Sequence, residues 1–117
     1  MQVTALIVFI SVAIVGTTML IGKRKGIRIP PLIVRAHGIF ALFAVLLLLV
    51  GNIGSWINDH DNSWAWIALA LLSGVVSGAY LLFKKLLKGR RKPMFVLYAH
   101  GIFASLSIAA LSYALML

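Results

Sequence analysis

Apolar residues in this chain do not alternate and do not recur on one helical face. They run almost without interruption through four stretches, near residues 3–22, 31–51, 64–83 and 94–117. A helix needs about 20 consecutive apolar residues to cross a bilayer, so each stretch predicts one span. Three short polar segments separate them. Residues 23–28 and 84–92 are basic, and residues 52–63 hold Asp59 and Asp61. The expected fold is therefore all-α: an integral-membrane bundle of four up-and-down helices in a single domain covering residues 1–117.

The charges orient the bundle. The chain has 117 residues with 11 Lys and Arg against 2 Asp and Glu, yet 62% of it is hydrophobic. A nucleic-acid-binding domain this basic would be polar over most of its length, so no nucleic acid is expected as a partner. Every Lys and Arg lies in or near the first or third connection. By the positive-inside rule those connections face the cytoplasm, and both termini face outward. Trp56, Trp64 and Trp66 gather near the other end, as an aromatic belt does. The first span lacks a basic leader region and a small-residue cleavage site, so it reads as a retained helix. The expected location is a bacterial inner membrane, with membrane lipids touching the basic loops. With no cysteine, thiolate metal sites, covalent c-type haem and iron–sulfur clusters are excluded.

The two halves repeat. At the offset of 63 that separates His37 from His100, residues 25–41 align with residues 88–104, and ten of the 17 positions are identical. The identities are Lys25/Lys88, Gly26/Gly89, Arg28/Arg91, Pro30/Pro93 and the run Ala36/Ala99 through Ala41/Ala104, which contains the histidines. The repeating unit is a helical hairpin, residues 1–54 and again 64–117. Two spans per unit give both copies the same orientation, so the repeat axis runs along the membrane normal. Pro30 and Pro93 suit the start of a helix, where a missing N–H is not needed. Each histidine follows its proline by seven residues, which places both imidazoles about 10 Å along their helices, at one depth. Helices 2 and 4 of an up-down bundle are diagonal, so the two rings can face each other across its core.

Ionisable groups within a membrane are costly and by default mark function. Glycines accompany these two. Gly16 precedes Lys23 by seven residues, and Gly78 precedes Lys85 by seven. Gly38 and Gly101 stand beside the histidines, so each helix carries a glycine near the histidine level. Gly74 and Gly78 also form a small-xxx-small stripe, which by itself means close helix packing. Four glycines flanking two facing imidazoles suggest instead a flat slot. A porphyrin needs such a slot, with one axial ligand above its iron and one below.

Histidines on helices 2 and 4, with glycines on helices 1 and 3, resemble the haem-binding four-helix core of membrane b-type cytochromes, such as the cytochrome b subunits of quinol-oxidising complexes. The resemblance implies His37 and His100 as axial ligands of a non-covalent haem b, with Gly16 and Gly78 as walls. That family has two histidines on each ligand helix and two haems. Here each helix has one, so one bis-histidine haem is implied. Lys23 and Lys85 lie on the same faces as Gly16 and Gly78, nearer the cytoplasm, and are candidates to meet the haem propionates. Arg35, two residues from His37, points elsewhere and reaches headgroups.

A six-coordinate haem suits one-electron transfer, with quinol or a membrane redox protein as partner. Two other readings stay open. In one, the pair His37 and His100 binds a transition-metal ion or relays protons in a small transporter or channel. No Asp or Glu lies in any span, and Asn52, Asn58 and Asn62 are placed in or beside the outer loop, so neither the embedded glutamate of small multidrug transporters nor the pore asparagine of small fluoride channels has a counterpart. In the other, the chain is an assembly subunit, or forms a homo-oligomer through a small-residue stripe. No nucleophile–base set, zinc motif or phosphate loop is present, and His60 reads as a solvated loop residue.

Overall fold

The computed structural model describes residues 1–60, 62–86 and 93–117, apart from the side chains of residues 85 and 86. Asp61 and the basic residues Lys88, Arg90, Arg91 and Lys92 lie outside the described residues. Four helices follow in order: α1 (Gln2–Arg24), α2 (Pro31–Ile57), α3 (Ser63–Tyr80) and α4 (Met94–Met116). A π-helical segment, Leu81–Leu86, continues α3 in wider turns. Each of the four is long and apolar enough to cross a membrane. The molecule measures 49 × 24 × 23 Å. Its long dimension matches a bilayer with its headgroup layers, about 40–45 Å.

The packing order is that of an up-down bundle. Within each hairpin α1 lies along α2 and α3 along α4, and the hairpins close on each other through α1–α4 and α2–α3. Among the described residues neither diagonal pair approaches closely along its backbone. Helices 2 and 4 are therefore diagonal, as the repeat predicts. Buried positions follow the repeat as well. Ala5 and Ala68, Phe9 and Leu72, Ala44 and Ser107, and Leu48 and Leu111 are pairs at the offset of 63, and all eight residues are buried. Alanines at the crossings let the backbones draw close, and the Leu and Phe side chains fill the space between them.

Local signals explain the helix ends. Pro30 and Pro93 stand one residue before α2 and α4, and Pro31 occupies the first helical position of α2. Helix α1 ends in a Schellman motif. The Ile27 N–H donates to the Gly22 carbonyl (2.8 Å) and the Gly26 N–H to the Lys23 carbonyl (3.1 Å), with Gly26 at φ +79°. Helix α2 ends the same way: the His60 N–H donates to Ser55 (2.8 Å) and the Asp59 N–H to Trp56 (3.2 Å). Here the left-handed position is filled by Asp59, at φ 59°. Asn62 starts α3, accepting the Trp64 N–H at 3.1 Å. Its amide also donates to the Ala114 carbonyl at 2.7 Å, an acceptor it shares with the Leu117 N–H (3.3 Å) in the last turn of α4.

One expectation is corrected. Asn52 is not a loop residue. Helix α2 runs to Ile57, and Asn52 is buried within the bundle, only 1% exposed. Its side chain accepts from Gln2 Nε2 (2.8 Å) and donates to the Ala65 carbonyl (3.0 Å), joining α1, α2 and α3. Gly51, beside it, lets the start of α1 cross closely, for a Cβ there would stand 2.9 Å from the Gln2 backbone nitrogen.

Candidate functional site: a histidine pair across the bundle

The inward stripe of α2 carries His37, Ala41, Ala44 and Leu48. The inward stripe of α4 carries His100, Ala104, Ser107 and Leu111 at the equivalent positions. Because the two helices are diagonal, the stripes face each other. The imidazole centres of His37 and His100 are 6.4 Å apart, and their planes stand at 74°. Two turns further in, Ser107 donates its hydroxyl to the Phe103 carbonyl at 2.7 Å, so it is satisfied within its own helix.

The environment of His37 is unusual. Among the described residues its Nδ1 is the one buried side-chain nitrogen or oxygen without a hydrogen-bond partner. Buried polar atoms are nearly always paired, and an orphan asks for an explanation such as an absent ligand. The ring is also held from one side. A Cβ placed on Gly16 would lie 2.8 Å from its Cε1, so only glycine at position 16 leaves room for it. His100 instead meets an aromatic ring: Phe83 packs edge to face at 5.8 Å and 85°.

The remaining predicted residues fall in different surroundings. A Cβ at Gly38, Gly78 or Gly101 would meet nothing within 4 Å; Gly38 and Gly78 are exposed on the bundle surface and Gly101 is half-buried. Gly16 is the exception, filled by the His37 ring. Nor are Gly16 and Gly78 repeat partners: at the offset of 63, Gly16 corresponds to Ala79. Lys23 is half-buried in the last turn of α1. The Lys85 side chain lies outside the described residues. Arg35 is exposed, and its neighbour at the same end, Arg24, donates to the Tyr98 hydroxyl at 3.3 Å, linking α1 to α4.

Phe83 was not singled out by the sequence. Its signal was available, since it lies four residues beyond Ala79 on the helix that packs against α4. Its repeat counterpart is Leu20, so the duplication did not draw attention to it.

As a donor set the site is simple. Among the described residues no three His, Cys, Asp or Glu converge, so the histidine pair stands without a third ligand of these types. Two neutral imidazoles this close could together bind one metal centre or exchange a proton. No protein-family model matches the chain, and neither a curated protein nor a solved structure matches it.

Proposed function

We propose that the chain is a small membrane cytochrome of the b type, in which His37 and His100 hold one non-covalent haem b as axial ligands. The observation that carries this is the 6.4 Å between the imidazole centres. With metal–nitrogen bonds of about 2 Å and a ring radius of about 1 Å, two imidazoles sharing one metal ion stand about 6 Å apart. The orphaned Nδ1 of His37 supports the same reading.

A haem held by both His37 and His100 would supply one-electron transfer. The residues of the chain do the rest. Gly16 admits the His37 ring and limits its travel. The apolar stripes of α2 and α4 exclude water from one side of the pair. Lys23, half-buried in the last turn of α1 at the basic end, would be a partner for the haem carboxylates, with Lys85 the second candidate by sequence.

Orientation follows from charge: the basic connections face the cytoplasm of a bacterial cell, and the histidine level lies in the cytoplasmic half of the membrane. A single centre at that depth does not span about 30 Å of hydrocarbon. The chain therefore exchanges electrons within one leaflet, as part of a homo-oligomer or against a membrane redox protein, with quinol as the small-molecule partner.

The test is a reduced-minus-oxidised absorption spectrum of protein purified from cells supplied with haem. An α-band that disappears in His37→Ala and His100→Ala supports the proposal. A colourless wild-type preparation sinks it, and proton or metal-ion flux in liposomes then tests the histidine pair as a relay.

A further inference from the structure

The repeat makes His37 and His100 equivalent by descent, yet their surroundings are not equivalent. Three observations separate them. The first is the helix behind each ring. His37 leans on α1 at Gly16, where a Cβ would come within 2.8 Å of the ring. The position on α3 at the offset of 63 is Ala79, which carries a Cβ where Gly16 has none. The second is hydrogen bonding. Both residues are half-buried, but His37 Nδ1 is buried without a partner and no His100 nitrogen is in that state among the described residues. The third is the neighbour each ring does have. His100 rests against Phe83, which belongs to the π-helical segment Leu81–Leu86. Helix α1 has no such segment and stays α-helical to Arg24. π-helical turns occur preferentially at functional sites.

From this asymmetry we propose that His37 is the retained ligand of the site, and that His100 is exchangeable for a small neutral ligand such as imidazole or carbon monoxide. The inference rests on the haem reading and deepens it. His37 is wedged: its ring cannot retreat toward α1 without meeting the backbone. His100 instead meets the Phe83 ring, edge to face at 5.8 Å. Edge-to-face contact orients a ring without blocking its rotation away. Exchange breaks one metal–nitrogen bond to His100 and forms one bond to the incoming ligand. His100 leaves as a neutral imidazole, and neither a proton nor an electron is transferred. The ligand is small and neutral because the inward stripes of α2 and α4 beyond the pair are apolar apart from Ser107, which disfavours an uncompensated charge.

The experiment compares haem retention and visible spectra of the full chain in detergent, for the wild type, His37→Gly, His100→Gly and Ala79→Gly, with helical content followed by circular dichroism. His100→Gly should keep haem at least about tenfold better than His37→Gly, the scale of losses seen when a ligand's support is removed. Added imidazole should restore the wild-type spectrum of His100→Gly. Reduced wild-type protein should take up carbon monoxide, and Ala79→Gly, which gives α3 the glycine that α1 has at the equivalent position, should take it up more slowly. Equal retention in the two histidine variants, or the reverse order, overturns the inequivalence and leaves the haem reading standing. If His37→Gly does not fold, Ala79→Gly decides, and unchanged carbon monoxide uptake overturns the proposal. A wild type without an α-band removes the haem reading itself, and the inference with it.

Discussion

Gly16 and His37 fit each other as niche and ring: the imidazole Cε1 stands 2.8 Å from where a side chain on Gly16 would begin. Gly16→Ala must therefore displace either the ring or α1. Overpacking of this kind costs about 1–3 kcal/mol. Gly78→Ala should behave oppositely in haem-free protein, because its Cβ meets nothing within 4 Å and alanine favours helix by about 1 kcal/mol. Thermal unfolding of the two haem-free variants in detergent checks the contrast. Equal effects of the two substitutions would deny Gly16 its special place.

Asn52 is a polar clamp inside an apolar bundle. Asn52→Ala removes the partner of Gln2 and leaves a cavity, and should cost about 1–3 kcal/mol. Leu115 occupies the repeat-equivalent position. The double variant Gln2→Leu/Asn52→Leu removes donor and acceptor together, and should recover most of that loss. Denaturant titration of the two variants, followed by circular dichroism, reads the difference.

Asp59 holds a left-handed backbone conformation that costs a residue with a Cβ about 1–2 kcal/mol. Asp59→Gly should raise stability by roughly 0.5–1 kcal/mol, provided the Schellman hydrogen bonds of α2 persist. A rise in the unfolding midpoint confirms it. Gly26→Ala, at φ +79°, should do the reverse.

The absence of cysteine makes topology directly measurable. In intact cells, Ser63→Cys should react with a membrane-impermeant maleimide and Arg28→Cys should not. In inverted vesicles the pattern should switch. Labelling of both from the same side would contradict the up-down arrangement, and a reversed pattern would place the basic end outside.

The number of helices, their order around the bundle and the meeting of His37 with His100 were all legible, because each follows from a coarse signal. Long apolar runs define spans, and a duplicated Ala-His-Gly-Ile-Phe-Ala segment places two rings at one depth. The boundaries were less so: α2 continues from Gly51 to Ile57, because Gly, Asn and Ser near a membrane interface do not stop a helix whose backbone bonds remain satisfied. Asn52 was misplaced for that reason. The glycines were read as one class by their depth, but depth does not determine direction. Gly16 faces a ring, whereas Gly78 faces open space. Nor does the sequence announce the π-helical segment, since Leu81–Leu86 has ordinary α-helical composition.

The pairing of buried positions at the offset of 63 has a kinetic consequence. Each hairpin supplies one histidine, so two separate copies would have to meet in the membrane to create the pair, and the fraction paired would depend on how densely they were expressed. The short connection after Ile57, bounded by Asn62, makes that encounter intramolecular. Assembly of the histidine pair then becomes first-order, governed by an effective concentration that the linker sets. The two halves of one chain are also free to differ, as Gly16 and Ala79 do at the offset of 63.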